Sequence, residues 1–254
     1  MRGKVVWLMD VARVIQAFGS ADAKSVRRDP LLRWMPVLPV VLAVAVRLGF
    51  PLVLERLGEL FKLDLLQYFG PVASSALLLI TPVMYGMIVG FLFLDQRDDG
   101  TLTALRVTPV SLQSYLAYRL SVPMLLSVIL TPVAFGIAGV SGVDFPLLVL
   151  CTLAATPLAA LVALALAAFA ENKVQGFALQ KAGSVFLLPA VIAYFVPAAW
   201  QPLFWPLPTY WPVKLYWSIA AGDPAWWAYL VAGLLFQTVL VWLLLRRLQR
   251  RISK

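Results

Sequence analysis

Six long apolar stretches constrain the fold of this chain more than any other feature. A helix needs about 20 mostly apolar residues to cross a bilayer core, whereas the strands of a membrane barrel alternate in polarity over about 10 residues. Because lipid offers the backbone no hydrogen-bond partners, only helices or closed barrels span it. The unbroken apolar runs indicate helices, so we predict an all-α membrane protein. The six predicted spans cover residues 36–54, 72–94, 122–140, 145–170, 184–200 and 226–245.

The composition excludes an ordinary soluble domain. Hydrophobic residues make up 62% of the 254 positions and charged residues 13%, whereas soluble domains are roughly half apolar and about a quarter charged. The sequence contains no convincing internal repeat and no linker long enough to divide it. We therefore predict that residues 1–254 form a single transmembrane domain.

The net charge of +9 reflects the distribution of basic residues across the membrane. Of the 21 Lys and Arg residues, seven lie at or before Arg33, three between residues 95 and 121, two between residues 171 and 183, and five after Leu245. These 17 fall on one side of the predicted spans, and only Arg56, Lys62 and Lys214 fall on the other. The positive-inside rule then predicts a multi-pass protein of the cytoplasmic membrane with both termini in the cytoplasm. This distribution argues against nucleic-acid binding.

The segment before the first span, residues 1–33, is predicted to be a cytoplasmic N-terminus. Apolar residues recur at helical spacing over residues 4–18, opposite a polar face that includes Lys4 and Arg13. This pattern predicts an amphipathic helix that lies in the membrane interface or, alternatively, packs on the cytoplasmic loops. The segment has no apolar core ending in a small-residue cleavage site, so it does not resemble a removable signal peptide.

Several classes of chemistry lack the residues they need. The chain has no histidine, which excludes Ser-His-Asp triads, Cys-His pairs and histidine-based metal sites. Asp98 and Asp99 are adjacent, so on a helix their side chains point about 100° apart and do not form a catalytic pair. No GxxxxGK[ST] motif for ATP hydrolysis occurs. We predict no catalytic residue, no metal site and no cofactor in this chain, and hence a transport subunit rather than an enzyme.

Polar and small residues inside the spans are candidates for a substrate pathway or for helix packing. Arg47 is the one deep charge, and it either snorkels toward the outer surface or lines a cavity. Three Thr-Pro pairs form either hinges and cavity walls or simple kinks, because proline frees a carbonyl that the threonine hydroxyl can bind. Gly86 and Gly90 form a small-xxx-small face that allows helices to approach closely. The candidate pathway residues are Arg47, Thr81, Thr131, Thr156, Tyr210 and Trp211.

The stretch from Trp200 to Trp217, before the last span, is rich in aromatic residues and proline. Pro202, Pro206, Pro208 and Pro212 prevent a regular helix across it, although a short helix can begin near Pro212. Trp and Tyr favour the membrane interface. We predict a re-entrant or interfacial element on the outer face, with an aromatic belt as the alternative.

A charged loop between the second and third spans is the main candidate for a partner-binding surface. Gly100 permits a sharp turn, and Thr101 can cap a short helix whose positive end the preceding aspartates favour. Leu102 and Leu105 share one face of that helix and can insert into an apolar pocket of a partner. The candidate partner-binding residues are Arg97, Asp98, Asp99, Gly100, Thr101, Leu102, Leu105, Arg106, Thr108 and Pro109. The alternative is a loop that only orients the two spans.

The segment 96–119, together with the order of spans, resembles the membrane subunits of ABC-2-type ATP-binding-cassette exporters. The likeness lies in the charged cluster, the Gly100-Thr101 pair, a leucine-bearing helix and Thr108-Pro109. Within that family the loop is similar to that of small drug-export permeases, including the fluoroquinolone-export type. Gln96 stands where the family often has Glu, and Asp98 replaces a second Glu, which puts one ionic contact in doubt.

The resemblance implies a permease that exports a hydrophobic or amphiphilic cargo, such as a drug or lipid. Separate ATPase subunits, which bind ATP and magnesium, would drive it through a coupling helix in the loop 96–119. A second permease chain, identical or paralogous, would complete the pathway. The alternative is a membrane scaffold or sensor that docks a soluble partner through the same loop without transport.

Overall fold

Helices form the regular structure of this computed structural model, which describes residues 19, 22–30, 32–100, 112–140 and 142–252. No strand occurs in these ranges, which confirms the predicted all-α class. A helical stretch over residues 22–28 comes first, and short 3-10 turns lie at Met35–Val37, Leu66–Tyr68 and Ala198–Phe204. The longer helices are α1 (Leu38–Leu48), α2 (Phe50–Phe61), α3 (Phe69–Asp98), α4 (Leu112–Ala138), α5 (Phe145–Ala155), α6 (Pro157–Phe169), α7 (Lys173–Ser184), α8 (Leu187–Ile192), α9 (Tyr210–Ala220) and α10 (Trp226–Ile252).

Four helical segments within the described residues are long and apolar enough to cross a membrane. They cover Leu66–Asp98, Gln113–Ala138, Phe145–Phe169 and Trp226–Arg251, and they correspond to the predicted second, third, fourth and sixth spans. A fifth candidate is the pair Met35–Leu48 and Phe50–Phe61, which is bent by 43°. The bend lies at Gly49, which caps the second helix of the pair, and Pro51 lies in the first turn of that helix.

The predicted fifth span, residues 184–200, is not one continuous helix. α7 ends at Ser184, α8 covers only Leu187–Ile192, and a 3-10 turn begins at Ala198. Pro189 and Pro197 lie in this stretch, and each lacks the N–H group that a continuous helix requires. Helix length therefore supports four or five crossings, and the predicted count of six is not confirmed.

Helix α3 forms the centre of the bundle. Its 30 residues include a nearly continuous buried segment from Ala73 to Leu94, and it packs against α4 on one side and α6 on the other. Gly86 and Gly90 lie on the face toward α6. A Cβ atom on Gly86 would be 2.4 Å from the carbonyl oxygen of Ala159, so only glycine permits this backbone approach.

The two ends of the bundle are distinguished by the residues that meet there. One end, which we call the signature end, carries Asp98 at the end of α3, Ala170 after α6, and Arg251 near the end of α10. The opposite end carries Tyr68 before α3 and Ile137 near the end of α4. The predicted amphipathic helix over residues 4–18 lies outside the described residues.

Candidate functional site

The charged signature begins where α3 ends. Asp99 caps the helix, and Gly100 follows with φ of +68°, a left-handed conformation that glycine adopts without strain. Arg97 turns back into the bundle and donates from Nη2 to the carbonyl oxygen of Ala170 at 2.7 Å. Asp98 and Asp99 are exposed. This end of α3 thus exposes the carboxylates of Asp98 and Asp99, whereas the side chain of Arg97 is held against the bundle by its hydrogen bond to Ala170.

The remainder of the signature falls outside the part of the chain that the structure describes. This applies to Thr101, Leu102, Leu105, Arg106, Thr108 and Pro109, so the coupling helix stays a prediction. Gln96, where the resembling family often has Glu, accepts a hydrogen bond from the hydroxyl of Tyr115 on α4. The side-chain amide therefore joins the two helices that flank the loop.

Ionic contacts tie several segments together at the signature end. Lys173, at the start of α7, binds Asp29 of the N-terminal segment and Asp95 of α3, the latter at 2.9 Å. Arg251 of α10 donates from Nη1 to the carbonyl oxygen of Ala168 at 3.0 Å and pairs with Glu171 at 3.2 Å. Charge-assisted contacts of this kind fix helix ends relative to one another. These contacts join the N-terminal segment, α3, α7 and α10 at the signature end.

A buried arginine lies in the first turns of α4. Arg119 is 1% exposed, and its Nη1 pairs with Asp22 of the N-terminal segment at 2.8 Å. Its Nε donates to the hydroxyl of Tyr115 at 3.1 Å, and its guanidinium lies 5.8 Å from the centre of the Phe93 ring. The hydroxyl of Tyr118 also donates to Asp22 at 3.1 Å. A charge is retained in this apolar setting because Nη1 and Nε both have polar partners, although Nη2 has none among the described residues.

The electrostatics of Asp22 are a balance of opposing effects. Burial raises the pKa of this carboxyl above its ordinary value of 3.8, because the charged form loses solvation. The Arg119 guanidinium and the Tyr118 hydroxyl act in the opposite direction, but burial dominates. Stability contributed through Asp22 therefore grows as the pH falls through its folded-state pKa toward the ordinary value, and it is lost as the pH rises again.

An apolar cavity of about 660 Å³ adjoins this cluster, and we call it the Arg119 cavity. It lies between the N-terminal segment, the 3-10 turn Met35–Val37, and the halves of α3 and α4 nearest the signature end. Its charged lining residues are Asp22, Arg27, Arg33 and Arg119, and its apolar wall includes Tyr85, Ile88, Leu92, Val122, Leu126 and Leu130.

A second cavity, of about 560 Å³, lies between α6, α7, α10 and the loop 206–209, and we call it the Thr209 cavity. Its lining is apolar apart from Gln180, Ser184 and Thr209. The hydroxyl of Thr209 donates to the carbonyl oxygen of Phe186 at 3.0 Å, which ties the loop to the break between α7 and α8. Both cavities have volumes typical of sites for drug-sized molecules.

The predicted pathway residues do not line either of these cavities. Arg47 is exposed at the opposite end and donates from Nη1 to the carbonyl oxygen of Ile137 at 3.1 Å. It thereby satisfies one of the unpaired carbonyls at the end of α4. Tyr210 donates to Gln201 at 3.3 Å, and the indole N–H of Trp211 donates to the carbonyl oxygen of Trp205 at 3.0 Å.

The three threonines of the Thr-Pro pairs are buried and differ in their hydrogen bonds. Thr81 donates to the carbonyl oxygen of Leu77 at 2.9 Å, and Thr156 donates to that of Leu153 at 2.8 Å. The Leu153 carbonyl is the one that Pro157 leaves without its helical partner. The hydroxyl of Thr131 has no partner within the described residues.

Two functional features were missed by reasoning from the sequence. Arg119 precedes the predicted third span by three positions and was counted only as a basic loop residue, yet it is fully buried. Gln237, in the last span, is 1% exposed and was not singled out. The signal for both was available, because a strongly polar residue in or beside an apolar span is expensive to bury and marks a specific contact.

Comparison with known proteins identifies the family. A family model described as "Fluoroquinolones export permease protein Rv2686c-like" matches residues 22–245. Two relatives from Mycobacterium tuberculosis are each 35% identical over 244 residues, which covers 94% of this chain and 95% of the relative. They are fluoroquinolones export permease protein Rv2686c of strain ATCC 25618 / H37Rv and fluoroquinolones export permease protein MT2760 of strain CDC 1551 / Oshkosh. The chain therefore belongs to the Rv2686c-like family of fluoroquinolone export permeases, the membrane transport class that its charged loop resembled.

Proposed function

We propose that this chain is the membrane-spanning subunit of an ATP-driven exporter that moves an amphiphilic drug, such as a fluoroquinolone, out across the cytoplasmic membrane. The observation that carries this proposal is the 35% identity, over 94% of the chain, to relatives named as fluoroquinolones export permeases. Two apolar cavities large enough for drug-sized molecules are consistent with it. The sequence has no ATP-hydrolysing motif, so the energy comes from separate ATPase subunits.

The signature end faces the cytoplasm in this proposal. The basic residues clustered near it, Arg97, Lys173 and the arginines from 246 to 251, fit the positive-inside rule. The exposed Asp98 and Asp99 are then available to a soluble ATPase. The ionic contacts of Lys173 and Arg251 give a physical route by which movement at a docked loop reaches α6, α7 and α10.

We infer six crossings, with α7 and α8 forming a broken fifth span. Lys173, where α7 begins, binds Asp95 at the signature end, whereas the ring of Phe195, just after α8, lies 5.1 Å from that of Tyr68 at the opposite end. The segment from Lys173 to Phe195 therefore reaches from one end of α3 to the other, which is the distance that a membrane crossing requires. Irregular backbone is tolerated at membrane depth where protein surrounds it.

The segment from Ala198 to Ala220 fits a re-entrant element. The loop 206–209 lines the same cavity as Leu158 and Leu240, which lie midway along their spans. α9 then returns to the opposite end, where the indole N–H of Trp217 donates to the Ser75 hydroxyl at 3.1 Å. A second permease chain, identical or paralogous, would complete the pathway.

The test combines partner recovery with transport. The full chain, expressed with the ATPase encoded nearest its gene, is purified in mild detergent and its partners are identified by mass spectrometry. Inverted membrane vesicles are then assayed for ATP-dependent uptake of norfloxacin. We expect an ATPase in roughly equal amount, and we expect Leu105→Asp to abolish both its recovery and the uptake, because a charge on the inserting face is costly to bury.

Leu63→Asp is the matched control, because it makes the same change at an exposed leucine near the opposite end. It should leave ATPase recovery and norfloxacin uptake unchanged. If no ATPase accompanies the wild-type chain and no ATP-dependent uptake occurs, the exporter proposal fails. A non-transport scaffold or sensor would then be the better account.

A further inference from the structure

The Arg119 cavity has an uneven charge distribution. Three guanidinium groups, those of Arg27, Arg33 and Arg119, line it against the single carboxylate of Asp22. Within the described residues, neither Arg27 nor Arg33 pairs with a carboxylate. The rest of the lining is almost entirely apolar. A cavity of this kind favours a molecule with an apolar body and a negative group at one end.

The hydrogen bonds of Arg119 are incomplete. Nη1 and Nε have partners in Asp22 and Tyr115, but the buried Nη2 has none among the described residues. An unsatisfied donor on a buried charged group costs free energy, and an acceptor supplied by a ligand would remove that cost. This orphaned donor and the two surface arginines without a carboxylate partner are separate observations that indicate the same kind of ligand.

The position of the cavity suggests how such a molecule reaches it. The apolar wall extends from Leu92 to Tyr85 along α3 and from Val122 to Leu130 along α4, which is about 10–12 Å of helix at 1.5 Å per residue. Arg27 lies near the signature end of that wall, two positions before Asp29, which Lys173 joins to Asp95. A molecule dissolved in the cytoplasmic leaflet, with its charge at the headgroup level and its body in the acyl region, has the same orientation.

We propose that the Arg119 cavity binds the carboxylate of a small amphiphilic substrate, with Arg27 and Arg33 receiving the anion and Arg119 holding it at the inner wall. This rests on the proposed export function and names the charge that the substrate must carry. The volume of about 660 Å³ is in the range of sites for drug-sized ligands. The carboxylate of Asp22, which pairs with Nη1, repels an anion bound at the neighbouring Nη2.

The probes are norfloxacin, which carries one carboxylate on an aromatic body, and its methyl ester, which lacks that negative charge. Binding of each to the purified full chain is measured by equilibrium dialysis, without nucleotide and without any ATPase. We expect the acid to bind about tenfold more tightly than the ester, since the two differ only in the anionic group. Equal affinity for the acid and the ester would overturn the proposal.

Two neighbouring arginines provide a matched pair of variants. Arg27 lines the cavity, whereas the adjacent exposed Arg28 does not. Arg27→Gln should weaken binding of the acid by about three- to fivefold and leave that of the ester unchanged, whereas Arg28→Gln should change neither. An equal loss in both variants would reflect only the general positive charge of the segment and would contradict a defined site.

Asp22→Asn should change the affinity for the acid in the opposite direction. Removal of this repelling carboxylate should strengthen binding of the acid severalfold and leave the ester unaffected, and a weaker affinity for the acid would contradict the proposal. Competition by phosphatidylglycerol vesicles but not phosphatidylcholine vesicles, equal in the wild type and Arg28→Gln and weaker in Arg27→Gln, would identify a lipid site and overturn the assigned occupant. The binding assay contains no ATPase, so a negative result in it would not contradict ATP-driven export. A negative result in the export assay would likewise not contradict binding of the acid to the cavity.

Discussion

The side-chain amide of Gln237 on α10 donates to the carbonyl oxygen of Ala154 on α5 at 3.1 Å. Ala154 lies just before the break at Thr156–Pro157, where proline interrupts the helical hydrogen-bond ladder. Thr156 satisfies one freed carbonyl from within the span, and Gln237 binds the next from a neighbouring helix. The break in the fourth span is therefore stabilised by a contact between two helices.

We expect Gln237→Leu to destabilise the folded chain by about 0.6–1.7 kcal/mol, the range of interhelical hydrogen bonds measured in membranes. Gln113→Leu is the control, because Gln113 is exposed at the start of α4. Thermal unfolding of the purified proteins in one detergent measures both. Equal melting temperatures for the two variants would show that the Gln237 contact contributes nothing.

Gly86→Ala should disrupt the packing of α3 on α6. The added methyl group would lie 2.4 Å from a backbone oxygen and 3.0 Å from the Cβ of Val162, and overpacking of this kind costs about 1–3 kcal/mol. Gly136→Ala, in α4, places the same methyl group where no heavy atom lies within 4 Å. We expect a lower melting temperature for the first variant only, and a stable Gly86→Ala would contradict the close approach.

Lys173→Gln should loosen the N-terminal segment, because Lys173 joins Asp29 to Asp95. Its side chain is 35% exposed, so the contact is partly screened, and we expect trypsin to cleave at Lys24, Arg27 and Arg28 about two- to fivefold faster. Lys181→Gln removes an exposed lysine of the same helix. In Lys181→Gln, trypsin should cleave the N-terminal segment at the wild-type rate. Faster cleavage in both variants would assign the effect to the loss of one positive charge and not to the Lys173 contacts.

The orientation of the chain in the membrane can be tested by adding single cysteines to the wild-type sequence and labelling them from one side. Cys151 is fully buried, so a membrane-impermeant maleimide should not react with the wild type. Asp99→Cys, at the signature end, should react only after the cells are permeabilised, whereas Asp64→Cys, at the opposite end, should react in intact cells. The reverse pattern would place the signature outside and contradict the proposed orientation.

Sequence reasoning succeeded where the information is local. The apolar runs predicted the four longest helical segments, and the proline-rich stretch predicted a short helix near Pro212, which the structure places at Tyr210–Ala220. The apolar residues 184–200 indicated a segment inside the membrane, but they did not show whether it is one continuous helix. Proline breaks a helix without making the segment less hydrophobic.

The contacts of Arg119 and Gln237 were beyond prediction for a different reason. Their partners, Asp22 and Ala154, are 97 and 83 positions distant in the sequence, and no periodic pattern relates residues that far apart. A single sequence gives the cost of burying such groups but not the partner that offsets it.

The length of α3 has a consequence for any protein that meets the signature. Its 30 residues extend about 45 Å, whereas the hydrocarbon core of a bilayer is about 30 Å thick. At least one end of this helix must therefore stand clear of the lipid tails. If the excess is mostly at Asp98, the carboxylates of Asp98 and Asp99 stand above the headgroups on a rigid helix end, within reach of a globular protein that never touches the membrane.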